Sequence, residues 1–236
     1  NTFKAEVNKI ILALTSVGLL ILLIFPASLS AHHFRYGTMS WELVDNDTIR
    51  LKMQNGWSAN HTSFRINTDY NVWVSGYIGS IKTTISTVDW GDSSTDSDMD
   101  IKIISRDNVT PTSYNCSSSG GNICIQSTIS EMGEYNSSTE GWTTGLTHDY
   151  SDNGTYVVYW NSTARAAVKN SNGSAWRNET KVTIGGPYAG NVSPVSAVPP
   201  IVQVQDNTTF SYQVSATDAN SDNLTYRWGT KAEFFG

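Results

Sequence analysis

The 236-residue chain (25.9 kDa) has a formal net charge of −6, 15% charged residues and 11% aromatic residues, eight of them Trp. Disorder goes with few aromatics and high net charge, so this is a folded composition, and an acidic chain without a Lys/Arg cluster cannot release phosphate counterions, which excludes nucleic-acid binding. Ser, Thr and Asn fill about a third of the chain, and beyond residue 30 the leucines are Leu43, Leu51, Leu146 and Leu224 alone; β-branched and aromatic residues do the apolar work, which points to strands.

Asn1 to Ser30 reads as a signal peptide. Lys4 and Lys9 form a basic start, Ile10 to Phe25 is an apolar run, and Pro26 breaks it before the small residues Ala27, Ser28, Ser30 and Ala31. With Asn1 in place of Met, the true N-terminus is expected to lie upstream. The alternative is an uncleaved membrane anchor, since residues 10 to 31 carry no charge and a span needs about 20 positions. Either way the chain is expected to be secreted or held at the cell surface, with membrane contact only if the segment is retained.

Strand signals then recur between polar turns: His33–Glu42, Thr48–Asn55, Tyr70–Ile78, Thr84–Trp90, Asp100–Ser105, Ile123–Ile129, Thr155–Ser162 and Glu179–Gly185. Short alternating strands at this spacing predict an all-β sandwich over residues 31–185. Gly185-Gly186-Pro187, Ser193-Pro194 and Pro199-Pro200 mark a linker over 186–200, read as a hinge. Ile201–Gln205, Thr209–Thr217 and Leu224–Gly229 are three further strands over 201–236, too few for a sandwich of about seven, so a second, truncated domain is expected.

Twelve of the eighteen Asn beyond residue 30 begin N-x-S/T: Asn46, Asn60, Asn108, Asn115, Asn136, Asn153, Asn161, Asn172, Asn178, Asn191, Asn207 and Asn223. Chance would give roughly four, so N-linked glycans are expected partners. Asn108 and Asn191, with Pro after the triplet, are the weakest candidates. Cys116 and Cys124 flank a Ser/Gly turn and are expected to form a disulfide in an oxidising compartment; free thiols are the rival reading. Of the tryptophans, Trp41, Trp73, Trp90, Trp160 and Trp228 are expected in the core, and Trp57, Trp142 and Trp176 at the surface.

Two patches carry a family resemblance. Val88-Asp89-Trp90-Gly91-Asp92-Ser93-Ser94, followed by Thr147-His148-Asp149-Tyr150 and Gly154-Thr155-Tyr156-Val157-Val158, resembles the paired motifs of PKD-type (polycystic-kidney-disease) domains, with Ser93 where that family has Gly. The resemblance implies an Ig-like sandwich in which Asp89, Trp90, Gly91, Asp92, His148, Tyr150, Gly154 and Tyr156 are structural, Tyr156 acting as a tyrosine corner. Ala216-Thr217-Asp218-Ala219-Asn220-Ser221-Asp222-Asn223-Leu224-Thr225-Tyr226 is similar to the signature of cadherin-like putative Ig domains, with Asn220 and Ser221 replacing Asp and Gly.

Asp218, Asn220 and Asp222 place three oxygens at alternate positions, as calcium loops do, and form the best candidate metal site; an ion-free turn is the bland reading. The run Asp92, Asp96, Asp98, Asp100 reads as a solvated loop, with a second calcium site as the alternative. His32, His33, His61 and His148 show no metal-ligand spacing, and no nucleophile motif is present. The expected role is therefore a non-catalytic extracellular module in adhesion, spacing or fibre assembly. Its partners would be other extracellular domains, or further copies joined by strand addition through His33–Glu42. An accessory region of a secreted hydrolase and a receptor ectodomain fragment are the alternatives.

Overall fold

The computed structural model describes residues 34–58, 78–79, 81–106, 127–163, 165, 175–198, 202, 204–205, 207–230 and 233. The fold is all-β, an antiparallel sandwich. Its strands are β1 (Phe34–Leu43), β2 (Thr48–Ser58), β3 (Ile81–Asp89), β4 (Thr95–Arg106), β5 (Ser127–Asn136), β6 (Gly141–Thr144), β7 (Leu146–Asp149), β8 (Gly154–Ser162) and β9 (Trp176–Ile184), followed by the two-residue strands β10 (Val195–Ser196) and β11 (Ala216–Thr217). A single 3-10 turn, Gly186–Tyr188, separates β9 from β10.

The main sheet runs β1-β2-β5-β4-β3-β8-β9, with β6 on β5 and β7 on β2. Strand β2 changes partner along its length: Thr48–Leu51 pair with β7 and Gln54–Ser58 with β5. Register slips between Phe34 and Tyr36, Thr84 and Thr87, and Ile103 and Ser105 bend the sheet. The two ends of the path therefore meet. Phe34 of β1 stacks on Trp176 of β9 at 3.6 Å between ring centres, and Trp41 Nε1 donates to Lys181 O at 2.8 Å.

Alternation determines which side chains face inward. Ile49, Leu51 and Met53 of β2, Val158 and Trp160 of β8, and Val182 and Ile184 of β9 all enter one core with Val88, Trp90, Met132, Leu146 and Tyr150. Gly37 lets the two edge strands approach: a Cβ there would fall 1.8 Å from Asn178 Nδ2 and 2.9 Å from Asn55 Oδ1. Asn55 is fully buried behind it.

Several strand expectations shift. The acidic run from Asp96 to Asp100 is not a loop but the first half of β4, and Asp100 Oδ2 accepts the Tyr135 N–H at 3.0 Å. Strands β6 and β7 were not expected, because Gly141 and Gly145 flank stretches too short to show a period. Tyr70–Ile78, except Ile78, and the first residues of Ile123–Ile129 lie outside the described residues, as do Cys116, Cys124, Trp73 and the leader.

The strands expected after residue 200 are corrected more deeply. Among the described residues of that region only Ala216–Thr217 is strand, paired with Val195–Ser196. Val204, Phe210, Tyr212, Val214, Tyr226 and Trp228 keep a period-two pattern yet stand exposed. Their alternation suits a half-buried sheet, but no facing layer buries them among the described residues, and a lone extended segment is not stable as a sheet in water.

The tryptophans are corrected for a related reason. Trp176, expected at the surface, is buried against Phe34, with Trp160 and Trp57 edge-on to it at 4.7 and 6.1 Å. Trp228, expected in the core, is 96% exposed. Trp57 and Trp142 are half-buried, the second beneath the Lys102 ammonium.

Candidate functional site

The densest set of interacting polar and aromatic side chains joins the β3–β4 turn to β7. Trp90 N–H donates to Ser94 O at 3.2 Å, which closes the turn. The Asp89 carboxylate accepts the Gly91 N–H at 2.9 Å through Oδ1 and the Tyr159 hydroxyl at 2.8 Å through Oδ2. The Arg177 guanidinium lies 3.7 Å above the Tyr159 ring and pairs with Glu179 at 2.9 Å. Gly91 has φ 79° and Ser93 φ 75°. A Cβ on Gly91 would also sit 2.8 Å from the Val157 carbonyl oxygen, so this glycine is required twice over.

Asp92 is the hub. Its Oδ1 accepts the Ser94 N–H at 2.9 Å and the Ser94 hydroxyl; its Oδ2 meets His148 Nε2 at 2.8 Å. Partial burial pushes the Asp92 carboxyl up, but the hydrogen bonds from Ser94 and His148 outweigh it and hold the group at about 2. With Asp92 ionised, Nε2 carries the hydrogen and donates. The His148 ring lies flat on Trp90 at 4.5 Å and meets the edge of Tyr150 at 4.6 Å. Tyr150, 2% exposed, donates to Trp90 O at 3.1 Å; burial pushes its hydroxyl up, so it stays a donor. Tyr156 stacks on Tyr150 and donates to Asp152 O at 2.7 Å, with Gly154 close under its ring.

This arrangement braces; it does not relay a proton. A serine nucleophile needs one imidazole nitrogen for itself while a carboxylate holds the other. Here Ser94 Oγ and Asp92 both face Nε2, Ser94 at 3.5 Å, and the Ser94 hydroxyl is aimed at Asp92. What the set does is clamp a turn to a strand more than fifty residues away.

The brace has a pH signature. The Asp92 carboxyl sits below its ordinary 3.8, so the unfolded chain binds more protons between about pH 4 and pH 2. Its stabilisation is therefore complete above pH 4 and lost as the pH falls through 2. Asp92→Asn is expected to lower stability by about 1 kcal/mol at pH 5, after allowance for solvent screening. Urea midpoints at pH 5 and pH 2 check this: the gap between wild type and variant should close at the lower pH.

Two of the three predicted calcium residues have one oxygen engaged by N–H groups. Asp218 Oδ1 accepts from Asn220 N at 2.9 Å and Asp222 N at 3.1 Å, while Asn220 Oδ1 accepts from Val192 N at 2.9 Å. Asn220 Nδ2 donates to Gly190 O at 3.1 Å, a bond that an Asp could not make. Among the described residues no group of three or more His, Cys, Asp or Glu is placed to hold a metal ion.

Of the predicted glycan acceptors, Asn46, Asn136, Asn153, Asn207 and Asn223 are exposed and Asn161 and Asn191 half-buried. Asn46 and Asn153 share a cleft of about 360 Å3 with Gly185, Ala189 and Gly190. Asn178 differs: its Nδ2, the nitrogen a glycan would join, is buried over Gly37. Asn60, Asn108, Asn115 and Asn172 lie outside the described residues.

Sequence reasoning missed Ser193. Its hydroxyl accepts the Trp41 N–H at 2.6 Å and its own N–H donates to Trp41 O at 3.1 Å, on the outer side of β1. The Ser-Pro pair had been legible only as punctuation.

Comparison with family models, with curated proteins and with solved structures finds no match for this chain.

Proposed function

We propose that this chain is a non-catalytic, Ig-like extracellular glycoprotein module that serves adhesion, spacing or fibre assembly. The observation that carries the reading is the excess of sequons together with their placement: Asn46 and Asn153 stand at exposed turns of the sandwich, Asn136 at the exposed end of β5, and Asn207 and Asn223 on the exposed segment after it. The basic-then-apolar leader supports export, and the PKD-like patches support an Ig-like sandwich. The Asp92–His148 brace supports the non-catalytic part, because its groups are consumed in holding the fold.

Assembly by strand addition through His33–Glu42 would have to use the outer edge of β1. One edge of β1 pairs with β2, and on the other edge Ser193 meets Trp41. The exposed side chains of Phe210, Tyr212, Val214, Tyr226 and Trp228 are a second candidate surface for contact with another extracellular domain.

Expression of the full chain in a eukaryotic secretory host tests the proposal. Glycosylated material in the medium is expected, with a mobility shift on glycosidase treatment. Glycopeptide mapping should find sugar on Asn46, Asn136 and Asn153 and none on Asn178 in folded protein. Unmodified protein retained in the cytosol would refute the reading.

A further inference from the structure

The geometry points to Asn220 as a clasp that holds the segment after the sandwich in place, so that residues 186–198 form a locked elbow and not a flexible hinge. This inference stands on the bonding alone and does not depend on export or glycosylation.

Glycine and proline in residues 186–200 suggest slack, yet a continuous run of hydrogen bonds crosses the segment. It begins in the core. Trp41, 5% exposed, exchanges main-chain and hydroxyl bonds with Ser193, itself 7% exposed. The next residue back, Val192, gives its N–H to Asn220 Oδ1, sharing it with Asn191 Oδ1 at 3.0 Å. Asn220 Nδ2 returns a bond to Gly190 O. One carboxamide therefore reads a donor and an acceptor two residues apart on the linker, a two-sided fit that needs an amide.

Asn220 is itself fixed. Its N–H and that of Asp222 converge on Asp218 Oδ1, and Ser221 takes φ 64° within this turn. The turn follows β11, which pairs with β10, and Ala197 N–H donates to Ser215 O at 3.0 Å. Each bond in the run orders the backbone that makes the next, so linker and downstream segment are held from both sides. The left-handed φ of Gly185, Gly186 and Gly190 (68°, 62° and 83°) then sets the path of the elbow and is not a sign of looseness.

The test compares wild type, Asn220→Asp and Asn220→Ala as full chains, in EDTA so that an added carboxylate recruits no divalent cation. Hydrogen exchange is read for a peptide spanning 186–198, with peptides from β8 and β9 as the control for folding. Loss of the clasp should speed exchange across 186–198 by about tenfold or more in both variants, with β8 and β9 unchanged. Limited proteolysis should open a new cut in the same stretch. The Asp variant is decisive: it keeps the main-chain turn bond to Asp218 but sets a carboxylate against the Gly190 carbonyl. Wild-type protection in Asn220→Asp, or in both variants, would overturn the inference.

Discussion

Replacing Trp176 by Ala is expected to cost about 3–5 kcal/mol, the loss typical of a buried aromatic. The ring seals the join between β1 and β9. It stacks on Phe34, meets Trp160 and Trp57 edge-on, and its Nε1 donates to Thr163 O at 2.9 Å. Truncation opens a cavity where β1 and β9 meet and leaves the Thr163 carbonyl without that donor. For a domain of this size the midpoint of thermal unfolding should fall by roughly 10 °C. Trp228→Ala is the control. That ring is 96% exposed, and its removal should change stability by less than about 0.5 kcal/mol. Calorimetry on the two variants checks both numbers, and equal losses would mean that the placement of Trp176 is wrong.

Gly91→Ala should destabilise by about 3 kcal/mol. Two costs combine: a non-glycine residue at φ 79° loses about 1–2 kcal/mol, and the new methyl would lie 2.8 Å from the Val157 carbonyl oxygen and 2.9 Å from its nitrogen. Main chain cannot yield as a side-chain tip can, so β8 or the turn must shift, and the Asp92–His148 bond shifts with it. Ser93→Gly should act in the opposite sense. Ser93 holds φ 75° without the freedom of glycine, and relieving it should gain up to about 1 kcal/mol. Urea unfolding of the pair gives both signs in one experiment.

The braced site was partly legible in the chain. Asp89, Trp90, Gly91 and Asp92 could be read as a turn, because Gly supplies positive φ and Asp accepts nearby N–H groups. His148, Tyr150 and Tyr156 could be read as structural from the resemblance. That His148 would lie flat on Trp90 while giving its hydrogen to Asp92 could not be read, since it depends on β7 pairing with β2 and so reaching the β3–β4 turn. Asn220 shows the same limit from the other side. Spacing alone offered its oxygen as a candidate calcium ligand, and only the path of the linker shows it accepting from Val192.

Composition and alternation by themselves determined that this chain is all-β, where most of its strands run, and which turns carry glycan-type triplets. Those properties are local: propensity, a period of two, and triplets of adjacent residues. Tertiary structure alone decided that Trp176 is interior and Trp228 exterior, that Asn178 hides its amide, and that the linker is stitched down. Each of these depends on which strand lies opposite, and pairing between residues far apart in sequence leaves no trace in the short-range pattern of the segments that pair.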